Sequence, residues 1–114
     1  MIIKKGCNYE SEYKDGVLHI SLKGEIDHHS AVSVRSGIDE RIYELRPRKL
    51  VMDLSRIEFM DSSGLGLIMG RYNRITELGG ILKIGNPGRS AVRMMKMSGA
   101  DKLIPIVFTE EKGN

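Results

Sequence analysis

Lys49-Leu50-Val51-Met52-Asp53-Leu54 is almost unbroken in apolar character, and it lies between two stretches whose apolar residues recur at helical spacing. A short run of that kind suits a strand with neighbours on either side in a parallel or mixed sheet. Parallel neighbours cannot be joined by a tight turn, so the flanking helices must carry the crossovers. That requirement commits the chain to the α/β class, with this run at the centre of the sheet.

The remaining segments fit around it. Tyr9, Ser11 and Tyr13 alternate with Glu10 and Glu12, and Leu18, Ile20 and Leu22 alternate with His19, Ser21 and Lys23. Asp15-Gly16 between the two alternations predicts a hairpin. After Gly24-Glu25-Ile26-Asp27 the period changes. Ala31, Val34, Ile38, Ile42 and Leu45 share one helical face, charged residues occupy the other, and the helix stops before Pro47. Downstream of the central run, Leu65, Ile68, Met69, Tyr72, Ile75 and Leu78 repeat at helical spacing, and Gly79-Gly80 reads as a C-terminal cap. Ile81 to Ile84 reads as a strand, Asn86-Pro87-Gly88 as a turn, and Ala91, Val92, Met94 and Met95 as part of a helix ending near Ser98-Gly99. Ile104 to Phe108 reads as a last strand. The expectation is a single domain over residues 1–114, largely parallel after the opening hairpin.

Composition narrows the function classes. A chain of 114 residues, 40% of them apolar, supports one core and no second domain. Eighteen Lys and Arg against 15 Asp and Glu leave a net charge of +3. Between Arg71 and Lys102 the basic residues Arg71, Arg74, Lys83, Arg89, Arg93, Lys96 and Lys102 face only Glu77 and Asp101, either as a patch for an acidic partner or as plain solvated surface. Two Phe and four Tyr supply few stacking groups, so no nucleic-acid partner is expected. Cys7 alone cannot form an internal disulfide, and three His with one thiol do not make a standard structural zinc site. Lys4 and Lys5 stand where a signal peptide would be apolar, and no apolar run approaches the ~20 residues of a membrane span. A soluble protein of the reducing cytosol, with no membrane partner, is the expectation. Met94, Met95 and Met97 read as core or adaptable interface packing.

The stretch that carries chemistry is Phe59-Met60-Asp61-Ser62-Ser63-Gly64-Leu65-Gly66, at the start of the second helix. Asp61, Ser62 and Ser63 can each accept from the free N–H groups of that helix start, and one such cap is worth ~1 kcal/mol. Only one is needed. A spare hydroxyl at a helix N-terminus, beyond the carboxyl end of a strand, sits where α/β folds bind partners. It also suits phosphorylation, because the helix N–H groups and dipole stabilise an anion of about −1.5 to −2 charges. Two enzyme readings of the same residues are weaker. Gly64, Gly66 and Gly70 give G-x-G-x-x-x-G, not the dinucleotide fingerprint, and Gly64 stands ten residues beyond Leu54. A hydrolase would pair Ser62 or Ser63 with His28 or His29, yet Asp-Ser-Ser-Gly is not the nucleophile elbow. His28 and His29 read more simply as exposed first-turn residues of a helix capped by Asp27.

Gly24-Glu25-Ile26-Asp27-His28-His29-Ser30-Ala31, Leu50-Val51-Met52-Asp53-Leu54 and Phe59 to Gly66 together resemble the STAS family, in order over roughly residues 9–108. Gly70-Arg71-Tyr72, Gly79-Gly80 and Met97-Ser98-Gly99 add to the likeness. The resemblance implies a mixed sheet of four to five strands with helices mainly on one face. It further implies an anti-anti-sigma factor: a substrate and ligand, not a catalyst, that needs no cofactor and is monomeric when free. On this likeness Ser62 is the phosphoacceptor, and Asp27, Asp61, Ser62, Ser63 and Gly64 belong to the partner-binding surface. The implied partners are a nucleotide-bound anti-sigma factor that is also a serine kinase, and a serine phosphatase that reverses it. Asp27-His28-His29 points towards the sporulation branch, with other stress-response partner switches as the alternative. Met1 to Asn8 lie outside the motif pattern, and the short tail after Phe108 implies a short or absent closing helix.

Overall fold

Asp15 and Gly16 have φ of 52° and 82°, the paired left-handed conformations that a two-residue type I′ hairpin turn demands. The computed structural model describes residues 6–109. The turn joins β1 (Cys7–Lys14) to β2 (Val17–Ile26), antiparallel with Lys14 opposite Val17. Arg48 braces it by donating from Nη2 to the Asp15 carbonyl at 2.7 Å. There follow α1 (His28–Leu45), β3 (Lys49–Met60), α2 (Ser62–Glu77), β4 (Ile81–Gly85), α3 (Arg89–Ser98), a 3₁₀ turn over Ala100–Lys102 and β5 (Ile106–Val107). The sheet order is β1-β2-β3-β4-β5, with every pairing after the hairpin parallel and β3 in the middle.

One face of the sheet carries the core. Leu18, Ile20 and Leu22 of β2, Leu50, Met52 and Leu54 of β3, and Leu82 and Ile84 of β4 are buried against Val34, Ile38 and Ile42 of α1 and Leu67, Ile68 and Ile75 of α2. The alternate residues of the same strands, such as His19, Val51 and Lys83, point to the other face and stay partly exposed. The expected mixed sheet with helices mainly on one side is therefore what forms. At Gly24 (φ 110°) the β2–β3 register shifts, and a Cβ there would overlap the Gly6 carbonyl, so the bulge admits only glycine.

Three expectations need correction. β3 does not end at Leu54: it runs six residues further, because Arg56-Ile57-Glu58-Phe59-Met60 continues in strand alternation and pairs with Lys23 to Ile26 of β2. The last strand is two residues, not five, since Ile104 is fully buried and Pro105 offers no N–H to a ladder. On α2 the expected apolar face forms, with Ile68 and Ile75 buried and Leu65, Met69, Tyr72 and Leu78 half-buried against the core, and Gly64, Leu67 and Arg71 join the buried stripe. Arg71 is consequently not part of a surface patch: it is 3% exposed and contacts Asp39 of α1 at 2.8 Å. The closing-helix expectation concerns residues 110–114, outside the described range.

Candidate functional site

β2 and β3 are parallel neighbours with Ile26 opposite Met60, so their carboxyl ends deliver the next residue of each strand to the same edge of the sheet. Those residues are Asp27 and Asp61, the N-caps of α1 and α2. The Asp61 N–H donates to the Ile26 carbonyl at 3.1 Å and ties the two helix starts together. Two helix N-termini, each with a carboxylate on its first free N–H groups, thus stand side by side.

Asp27 forms a capping box. Its Oδ1 accepts from the Ser30 N–H at 2.9 Å, and the Ser30 Oγ accepts from the Asp27 N–H at 2.8 Å. The Ser30 hydroxyl, itself buried, donates onward to the Glu25 carbonyl at 2.9 Å. The Ser30 N–H bond, with smaller contributions from the Ser30 hydroxyl, the His29 N–H and the His29 charge, holds the Asp27 carboxyl below the ordinary carboxylate range. A depressed folded value means that the carboxylate stabilises the fold above pH ~4, where it is ionised in both folded and unfolded chains. That stabilisation disappears as pH falls through the folded value. Urea unfolding of Asp27→Ala and the unmodified protein is therefore expected to show a stability gap at pH 6 that closes towards pH 2.5; a gap constant with pH would contradict the capping role.

At α2 the division of labour is sharper. Asp61 Oδ1 accepts from the Ser63 N–H at 2.7 Å and caps the helix alone. Ser62, the first helical residue, is exposed, and its hydroxyl makes no hydrogen bond among the described residues. Ser63 is half-buried beside a groove of about 260 Å³ between α1 and α2 that includes His28, Val32, Arg35 and Gly66. On the far side of Asp27 a second hollow, about 480 Å³, reaches His29, Ser33 and the buried thiol of Cys7; burial pushes that thiol up from its usual range. Gly64 lies beneath this surface, not on it: a Cβ there would overlap the Met60 side chain, so glycine lets α2 start hard against β3.

The structure places Asp27, Asp61, Ser62 and Ser63 at one edge of the sheet and turns Gly64 inward. Because β3 runs to Met60, Gly64 follows the strand end closely, and only the glycine spacing now speaks against the fingerprint. His28 and His29 are both exposed, as expected, with their rings edge to face at 6.1 Å. Neither shares a hydrogen bond with Ser62 or Ser63 among the described residues. No cluster of three or more His, Cys, Asp or Glu suited to a metal occurs there either, and no helix among those residues is long and apolar enough to cross a membrane. Three features escaped the sequence reading: the Ser30 half of the capping box, Gly66 in the groove, and the exposed Phe59 at the end of β3. The Asp27-x-x-Ser30 spacing and the Ile57/Phe59 alternation were the signals that could have shown the first and third.

Residues 8–113 match the family model of the STAS domain. The chain belongs to the STAS domain family. Among its STAS relatives, the anti-sigma F factor antagonist of Paenibacillus polymyxa is 41% identical over 101 residues, 89% of this chain and 86% of that protein. The anti-sigma-B factor antagonist of Bacillus subtilis is 28% identical over 93% of this chain and 95% of its own. Among solved STAS structures, the anti-sigma factor antagonist SpoIIAA in its unphosphorylated form superposes with a TM-score of 0.79 at 26% identity, covering 92% of this chain and 90% of the other. The phosphorylated form of Bacillus SpoIIAA gives 0.74, again at 26% identity, with 92% and 94% covered.

Proposed function

We propose that this STAS protein is an anti-sigma factor antagonist whose partner surface is formed by Asp27, Asp61, Ser62 and Ser63, with Gly64 beneath it, and is switched by phosphorylation of Ser62. The observation that carries the reading is the Ser62 hydroxyl: exposed, unbonded and at the first position of a helix that a neighbouring residue already caps. In the unmodified state the surface docks on an anti-sigma factor that is also an ATP-dependent serine kinase, and so frees a sigma factor for transcription. Transfer of a phosphoryl group to Ser62 ends the complex, and a serine phosphatase restores it. The protein is then a substrate and a ligand, not a catalyst; it works in the cytosol, as a monomer when free, without a cofactor.

The relatives named as anti-sigma factor antagonists support the reading, as does the pair of SpoIIAA structures in two phosphorylation states. The 41% identity to an anti-sigma F factor antagonist favours the sporulation branch. The 28% identity to an anti-sigma-B factor antagonist keeps a general stress-response switch as the second reading. Mass spectrometry after incubation with the cognate kinase and ATP is expected to find one phosphate, on Ser62. A phosphate on Ser63 or any other residue would refute the assignment.

A further inference from the structure

The outward side of α3 carries a groove of about 560 Å³ that the Ser62 reading does not use. Three cations, Arg89, Arg93 and Lys96, line it together with Val92, Met97 and Phe108, and among the described residues no acidic side chain does. Their spacing of four and three residues aligns the cations along one face of the helix. None of the three takes part in an ion pair among the described residues. Met97 and Phe108 are 80% and 67% exposed, so two large apolar side chains stand open to water beside a row of positive charge that no described acidic residue pairs. The groove shares no residue with the Asp27–Ser63 surface.

We propose that this groove docks an acidic amphipathic segment of a partner protein, its apolar side chains over Val92, Met97 and Phe108 and its carboxylates on Arg89, Arg93 and Lys96. Charge complementarity selects that occupant. A second copy meeting the same face by a two-fold axis would set three cations against three cations. An anionic membrane is commonly engaged by about four to eight clustered basic residues, more than the three that line this site. Since the two surfaces have no residue in common, the groove serves a partner that binds whether or not Ser62 carries phosphate.

Titration of the full chain with a two-heptad peptide of Glu and Leu, followed by amide chemical shifts, tests the inference. Shifts are expected at Arg89 to Met97 and at Phe108, and the Lys-and-Leu counterpart should produce none there. Arg93→Glu/Lys96→Glu and, separately, Met97→Glu should each weaken the acidic peptide about tenfold or more while leaving the melting temperature in place; Ser62→Asp should leave its affinity unchanged. The inference is overturned by absence of site-specific shifts, by shifts on the α1–α2 face, or by equal binding of the basic peptide. It is equally overturned if the groove residues shift with protein concentration alone, if phosphatidylglycerol vesicles occupy them in place of the peptide, or if truncation after Thr109 shifts them without any peptide.

Discussion

Carrying a phosphate on Ser62, the protein is expected to bind its anti-sigma partner about a hundred- to ten-thousandfold more weakly than the unmodified form, with an unchanged melting temperature. That range corresponds to about 3–5.5 kcal/mol of lost binding energy. The loss arises at the interface. Docking over Ser62 would bury an anion of about −1.5 to −2 charges next to the carboxylates of Asp61 and Asp27, adding desolvation to like-charge repulsion. The fold is spared because Asp61 alone caps α2, and because the free N–H groups and dipole at the helix start favour an anion there. Ser62→Ala is expected to bind as tightly as the unmodified protein and to stay bound in the presence of ATP. Ser62→Asp should lie between the two, since a carboxylate brings one charge and a shorter reach. Calorimetric titration of the four proteins against the nucleotide-bound partner measures the series; equal affinities for phosphorylated and unmodified protein would remove the switch.

The second large effect lies inside the helical layer. Arg71→Met is expected to cost about 2–4 kcal/mol in urea unfolding, and Arg71→Met combined with Asp39→Leu to recover most of that loss. The side chain of Arg71 is 3% exposed and that of Asp39 20%, so the pair is largely out of water. Burial pulls the guanidinium below its usual range, against the attraction of Asp39 and with the help of Arg35 and Arg74. The contact at 2.8 Å lacks the alignment of a hydrogen bond, and Arg71 Nη1 has no partner among the described residues. Such a pair is costly to break and cheap to replace: removing one member strands the other's charge, whereas removing both removes the desolvation as well. With urea slopes of about 1–3 kcal/mol/M, the single variant should lower the midpoint by roughly 0.7–4 M. A double variant no more stable than the single would show that the pair contributes net stability.

Arg71 also illustrates where the sequence stops being readable. Elements whose local pattern and tertiary setting agree were legible: the Asp15-Gly16 hairpin, the Val34/Ile38/Ile42 face of α1, and the Gly79 cap of α2. A charged residue on the inward face of α2 broke that agreement, because only the partner on another helix justifies its burial. The extension of β3 is the reverse case: Ile57 and Phe59 alternate with Arg56 and Glu58, but the signal is weak until β2 supplies a ladder for it. At the site, the types and spacing of Asp27, Asp61, Ser62 and Ser63 pointed to capping, and three side chains had equal claim at α2. Only the folded geometry gives the cap to Asp61 and leaves Ser62 free. Gly64 belongs to the same motif yet faces inward, since motif membership carries no information about which way a residue points.

The order of strands in the sheet is the order of strands in the chain. As the polypeptide leaves the ribosome, the hairpin can form first, and each later strand then finds its neighbour already made. No strand waits unpaired for a distant portion of the chain, so loop-closure entropy is met in small steps and sticky edges are short-lived. Newly synthesised copies therefore gain each strand by adding it to an edge that already exists.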